Sequence, residues 1–535
     1  MQKIVFVFVL IHTISFSQSR NSDSLRGSIT PERSWWNLLH YDLFVKVHPE
    51  LQTIEGKNTI RFAAISTGKV VQIDLQSPLI LDSVVFLKQS LKIHKEGPNA
   101  YFAHLTEDIA LNQEHEITCY YHGKPRKAMN APWDGGIVWD KTNDGTDFIA
   151  TACQGLGASV WWPCKDHMYD EPEQGMLIAV NTPANLMNVS NGRLMQNNLL
   201  KDGTRTTHWQ VKNPINNYGV NMNISNYVHW DSIYKGEIGD LNMDFFVLPE
   251  NLEKSKIHFN DAFRTMEAFE HWFGPYPFYE DGYKLVEVPY LGMEHQSSVT
   301  YGNKYKKGYL GTDLSGTGWG LKWDYIIIHE SGHEWFANNI TYKDAADMWI
   351  HEGFTSYSEA LFVEYFYGKE AGFEYCRGLR RGISNDTPII GNYDVNQEGS
   401  GDMYPKGANL LHTLRQVMDN DEDWRKMLRG MNETYYHQTV TTEEIEEYLS
   451  TSIGLDLQRV FDQYLRTIRI PELVLQIKKK NVSYHWENVV EGFAMPVDLI
   501  LDGKKQRVYP TEKAQTIKAK KIEVDPNYYI RVKRK

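Results

Sequence analysis

Two histidines and a glutamate interrupt an apolar run, "IIIHESGHEWFANNI" from Ile326 to Ile340, as His329, Glu330 and His333. On an α-helix, side chains four positions apart share one face, one turn apart. Two neutral imidazoles so placed both reach one Zn²⁺ at roughly 2.0–2.1 Å. Glu330, next to the first, is set to take a proton from water on that metal, as in the H-E-x-x-H arrangement. A catalytic zinc wants three protein ligands and one open position. Glu352, in "MWIHEGFTSYSEAL", supplies the anionic third ligand from a second helical segment. The apolar flanks imply burial, and buried imidazoles need partners. One zinc per chain meets that need; a chance pair of histidines on an ordinary helix is the alternative. Glu359 lies two helical turns beyond Glu352 on the same face, where it can hydrogen-bond a ligating histidine from behind; an ordinary glutamate is the alternative there. His351 is adjacent to Glu352, points elsewhere and is read as a non-ligand.

Positioning such a cluster takes a scaffold larger than one core. A chain of 535 residues with 41% hydrophobic and 13% aromatic residues suits a large globular protein of several domains. From about Arg33 to Tyr227 the pattern is strand-like. In "YDLFVKV", Tyr41, Leu43, Val45 and Val47 alternate onto one face, and in "VQIDL" so do Val71, Ile73 and Leu75. Near Leu252 the character changes. "NLEKSKIHFNDAFRTMEAFEHWFG" has helical spacing and stops at Gly274 before Pro275. Helical patterns then dominate to about Arg469, among them "KGANLLHTLRQVMDN" and "TTEEIEEYLSTS", whose threonines before glutamates suggest a cap. Alternation returns after "RIPE": Leu473, Leu475 and Ile477 on one face, and Val497, Leu499 and Leu501 on another. The reading is a multidomain α+β chain with a β-rich domain over 18–230, a mostly helical metal-binding domain over 231–469 and a small β domain over 470–535.

The net charge of -12 excludes nucleic acid as the main partner, since phosphate binding needs a basic surface. The basic tail "IKAKKIEVDPNYYIRVKRK" reads as a solvated strand face rather than a contact for an anionic surface. Residues 1–17 carry Lys3, an apolar stretch and then small residues, the layout of a secretory signal peptide. That stretch is too short to span a bilayer, which takes about 20 apolar residues. The expectation is an exported protein, periplasmic or extracellular, with no transmembrane segment in the mature chain. Cys119, Cys153, Cys164 and Cys376 read as buried free thiols, with two disulfides as the alternative. Oligomeric state is not legible.

At "HESGHEWFANNIT", Glu352 and "DMWIHEGFTSYSEA" the chain resembles the aminopeptidase N family of gluzincin metallopeptidases (peptidase family M1). "LGMEHQSSVTYG" is similar to that family's G-x-M-E-N exopeptidase motif, "MYPKG" to its Y-E-K-G segment and "QGLGASVWWPCKD" to the stretch ending in P-C-x-D. The resemblance runs from about Arg33 to Arg469, with the blocks in the family's order. It implies a saddle-like N-terminal β-sandwich domain, a thermolysin-like catalytic domain and, at the end, a β-sandwich of the kind in shorter members. It implies that Glu294 and Gln154 bind the free α-ammonium of a peptide, Gln154 through its amide oxygen. It also implies that Gly292 and Met293 present backbone to the substrate and that Tyr404 stabilises the oxyanion. Tyr404 precedes Pro405 at a helix start, which predicts an extended backbone there. Departures are Leu291 for the motif's first glycine, His295 and His351 for asparagines, and Ala337 where glycine is common. His295 is read as a satisfied loop histidine rather than a tuner of the amine site's pH response.

These expectations combine into zinc-dependent removal of the N-terminal residue from peptides: the metal polarises the carbonyl and activates water, and Glu330 carries the proton. Three alternatives remain. An endopeptidase of thermolysin type would need no amine anchor. A zinc-bound scaffold would bind peptides or proteins without cleaving them. Epoxide hydrolysis, performed by one branch of the resembled family, would need a lipid tunnel, to which nothing in the sequence points.

Overall fold

The computed structural model describes residues 22–535; the expected signal peptide lies outside them. The first unit is built on an eight-stranded sheet. Its long central strand, Trp36–His48, pairs antiparallel with Thr53–Ala64 and parallel with Met176–Pro183. Tyr41, Leu43, Val45 and Val47 are all buried, as their alternation predicts. Val71, Ile73 and Leu75 are buried too, but so are Gln72 and Asp74 between them. That strand is covered on both faces, and its polar groups are satisfied internally: Arg33 donates to Asp74 at 2.7 Å. A four-stranded sheet places Asp147–Ala152 beside Gly136–Lys141 and Asn223–Ser225. Gln154 leaves the end of that sheet.

The middle unit is not purely helical. A mixed five-stranded sheet runs Val228–Gly236, Gly239–Val247, Tyr283–Glu287, Val299–Tyr301 and Gly292–Met293 in spatial order. Helix α1 (Asn260–Phe273) ends at Gly274 with φ 94°, as expected. The segment expected to form one helix before it breaks at Phe259, giving a separate turn of helix over Leu252–His258. Helix α2 (Tyr325–Gly332) carries the first histidine, α3 (Trp349–Tyr367) carries Glu352 and Glu359, and α4 (Pro405–Met418) begins at the proline after Tyr404. A capping box of Thr441 and Glu444 starts the helix Thr442–Ile453, as read from its threonines and glutamates.

Two small sheets close the chain, of four strands and of three. Leu473 and Leu475 are buried, whereas Ile477, expected on the same covered face, is 41% exposed: the strand Glu472–Lys478 runs past the edge of what it packs on. Val497, Leu499 and Leu501 are buried as read. The basic tail forms the strand Arg531–Arg534, with Lys533 paired to Glu472 and Glu487. The C-terminal strands share one hydrophobic core with the helices. A second core fills the N-terminal unit and extends into Val286, Val288, Tyr290 and Met293 of the middle sheet. All four cysteines are free and buried. Among the described residues no helix is long and apolar enough to cross a membrane.

Candidate active site

Asp324 caps α2 by accepting from the Ile327 amide at 3.2 Å, and is itself held by Tyr301 and His258. Three consecutive β-branched residues are poor helix formers; Ile326, Ile327 and Ile328 are helical because all three are buried in the core. The α-helix stops at Gly332. His333 is its C-cap at φ −64°, ψ −16°, with its amide still bonded to the His329 carbonyl. The i, i+4 relation therefore survives although "EWFANN" does not continue the α-helix as expected. It forms a wider turn that breaks at Phe336 and Ala337. Ala337 has φ 158° and ψ −49°, at the position where the resemblance expects glycine. The turn has a use. Asn338 donates to the Glu294 carbonyl at 2.8 Å, and Glu334 accepts from the Ser297 amide at 3.0 Å, so the metal-motif segment grips the exopeptidase-motif loop.

His329 Nε2 and His333 Nε2 lie 3.3 Å apart, and the Glu352 carboxylate reaches them at 3.5 and 3.3 Å. The opposite ring atoms fix the tautomers. His329 Nδ1 is 2.7 Å from Glu359, and His333 Nδ1 is 3.0 Å from the Phe336 carbonyl. Each faces an acceptor and so must carry the proton, leaving both Nε2 lone pairs bare. Glu352 Oε2, buried, makes no hydrogen bond. Three lone pairs thus converge with no donor between them, an arrangement that needs a cation. Zn²⁺ fits the donor set of two imidazoles and one carboxylate. In the metal-free chain, burial alone would lower both imidazole pKa values, but the surrounding carboxylates, Glu352 foremost, outweigh it and raise them. Burial pushes Glu352 up, and the two imidazoles more than reverse it.

Glu330 is 8% exposed, faces the cavity and makes no hydrogen bond among the described residues. Burial raises its pKa, to about 8 without metal. Tyr404 borders the same cavity. It is not extended: φ −69°, ψ −78° make it the junction between a 3₁₀ turn, Gly401–Met403, and α4, so the helical path into the proline overrides the usual preference. Burial, together with the nearby negative charge of Glu352, keeps its phenol protonated. The approach of α4 to α3 rests on two glycines. A Cβ on Gly407 would stand 2.9 Å from the Gly353 Cα, one residue from Glu352.

Gly292 and Met293 form a two-residue edge strand paired with Val299–Tyr301. A Cβ at Gly292 would stand 2.4 Å from Ile326 Cγ2, so glycine is required where α2 passes the strand. Leu291, Gly292, Met293 and Glu294 all border a cavity of about 320 Å³ that also contains the metal cluster. Glu294 accepts from the Gln154 amide nitrogen at 2.6 Å and from Tyr218 at 3.0 Å. The same nitrogen lies 3.2 Å from Glu352. Gln154 was expected to present its oxygen; between two carboxylates it presents its donor instead. His295 is buried behind the motif, 3.3 Å from Thr300, with its Nε2 unpartnered, and burial alone lowers its pKa to about 3. It is neutral, though only one of its nitrogens is satisfied. His351 accepts from the Tyr342 amide at 2.9 Å and points away from the cluster.

The sequence reading missed several supports. Tyr375 donates to Glu359 at 2.6 Å, Thr355 lies 3.0 Å from His333 Nδ1, and Tyr325 stacks on His329. Tyr325 and Thr355 sit at helical spacing from the expected ligands His329 and Glu352 and were findable. Tyr218 and Tyr375 carry no local signal.

Residues 257–464 match the Peptidase family M1 domain and residues 37–218 the Peptidase M1 N-terminal domain, together more than half of the chain. The chain belongs to peptidase family M1. This M1 chain is 21% identical over 473 residues to endoplasmic reticulum aminopeptidase 1 of Mus musculus, covering 82% of this chain and 49% of that protein. It is 22% identical over 458 residues to aminopeptidase N of Lactobacillus helveticus, covering 80% and 50%. It thus spans about half the length of the curated relatives it matches. Its fold is that of an M1 zinc metallopeptidase from Deinococcus radiodurans, with TM-score 0.68 and 18% identity over 83% of this chain and 97% of that one.

Proposed function

We propose that this chain is a zinc-dependent aminopeptidase that removes single residues from peptides with a free N-terminus. One observation carries the reading: Glu294, held by Gln154 and Tyr218, shares a cavity with the His329–His333–Glu352 cluster. Family membership and the aminopeptidases among its relatives support it.

His329, His333 and Glu352 would hold the metal, and Glu359 orients His329 from behind. Zinc, when bound, supplies Lewis acidity toward the scissile carbonyl and lowers the pKa of water from 15.7 to about 7. Glu330 takes the proton of the attacking water and passes it to the leaving amine. Tyr404 donates to the negative charge developing on the carbonyl oxygen. Glu294 pairs with the α-ammonium, a cation whose transfer out of water is costly unless matched. Cleavage is thereby registered one residue from the end. Export, proposed from residues 1–17, would make the substrates extracytoplasmic peptides.

The test compares zinc-loaded protein on a peptide with a free N-terminus and on its N-acetylated twin. The reading expects cleavage of the free peptide only, after its first residue, and its loss with chelator. Cleavage of the capped peptide at an internal bond would establish the endopeptidase alternative, and tight peptide binding without turnover would establish the scaffold.

A further inference from the structure

We propose that the cavity selects a basic N-terminal residue, arginine or lysine, and that Glu398 is the carboxylate that pairs with its side-chain cation. This rests on the aminopeptidase reading above and extends it to a substrate class.

With the α-ammonium fixed at Glu294, which Gln154 and Tyr218 hold in place, the first residue's side chain must occupy the part of the cavity next to that anchor. Gly155 follows Gln154 in the chain, and its carbonyl accepts from the Asn396 side chain at 3.3 Å. The loop between residues 391 and 400 is thereby clasped to the anchor side, and Glu398 and Gly399 of that loop border the cavity. The other carboxylates there are engaged by the chemistry: Glu294 with Gln154 and Tyr218, Glu352 with the imidazoles, Glu330 poised for proton transfer. Glu398 is exposed, and its carboxylate makes no hydrogen bond or ion pair among the described residues. Among the described residues no lysine or arginine borders the cavity to neutralise it.

The remaining walls suit a long, amphipathic side chain. Trp133, 64% exposed, borders the mouth, with Met348 and Met403 deeper in. Arginine and lysine lay an apolar stem on such surfaces and keep the charge at the far end, where an aromatic face and a carboxylate both attract it. Leucine or methionine fills the apolar part and gains nothing from Glu398. A glutamate side chain meets like charge.

The experiment measures kcat/KM of the zinc-loaded full chain on arginyl, lysyl, leucyl, methionyl and glutamyl fluorogenic amides, for wild type, Glu398→Gln and Glu398→Lys. The expected result is a wild type that prefers arginyl and lysyl amides over leucyl and glutamyl. Glu398→Gln lowers the arginyl-to-leucyl ratio by about fivefold, the worth of one solvent-accessible ion pair, and Glu398→Lys lowers it further while raising the glutamyl rate relative to leucyl. A ratio unmoved by Glu398→Gln, or a wild type that favours leucyl or methionyl amides, overturns the assignment while leaving the aminopeptidase reading intact. Failure to hydrolyse any of the five overturns both.

Discussion

The two walls of the cavity are assembled by opposite means. The metal wall comes from one short stretch of chain: His329, Glu330 and His333 at the end of α2, with Glu352 and Glu359 on α3, the next α-helix along. The amine wall is collected from distant places: Gln154 and Tyr218 from the N-terminal unit, Glu294 from the loop after a two-residue strand. Helix periodicity fixes the first almost alone; only the packing of two separate cores brings the second together. On the proposed function, the difference teaches that catalytic power and substrate choice are separable, one a local property and the other a tertiary one.

That separation can be broken by substitution. The largest effect is expected from the metal wall: Glu330→Gln retains zinc by elemental analysis and loses turnover by about 10⁴-fold on every substrate. Tyr404→Phe, on the same side of the division, is expected to lose about 10²–10³ in kcat, as for removal of one oxyanion donor, with little change in metal content. Glu294→Gln should cost about 100-fold in kcat/KM on free-amine peptides and narrow the gap to N-acetylated ones. An equal loss on both would place Glu294 in the chemistry and dissolve the comparison. Glu359→Gln should weaken zinc by about 10–100-fold in a chelator competition, because His329 Nδ1–H then faces a neutral amide instead of a charged carboxylate. The last effect is graded with pH. The carboxylates hold His329 and His333 above the ordinary histidine pKa when metal-free, so protons compete with the metal. Zinc affinity should therefore fall as pH drops through those raised values, by about tenfold per unit for each proton displaced; an affinity flat between pH 8 and 6 would remove the proton competition.

The same contrast explains what the sequence disclosed. The helices carrying ligands, the strand alternation around Tyr41 and Val497 and the Thr441 cap all follow local rules, and all are present. The five-stranded sheet in the middle unit escaped. Two of its inner strands, Tyr283–Glu287 and Val299–Tyr301, are short and wholly buried, so they show neither alternation nor length. Glu294 and Gln154 could be singled out only through resemblance, since an isolated polar residue in a loop has no period. The turn after His333 read as helix because Trp335, Phe336 and Ile340 are apolar at helical spacing; the bonds that Glu334 and Asn338 make to the Glu294–Ser297 loop take precedence.

The crossing of α3 and α4 at Gly353 and Gly407 carries a consequence of its own. Neither glycine carries a reactive group, yet the separation between phenol and carboxylate is set by two missing methyl groups. An alanine at Gly407 would preserve every reactive atom and wedge the helices apart. Proficiency in such a site is thus partly written in hydrogen atoms, where no inventory of functional groups would look.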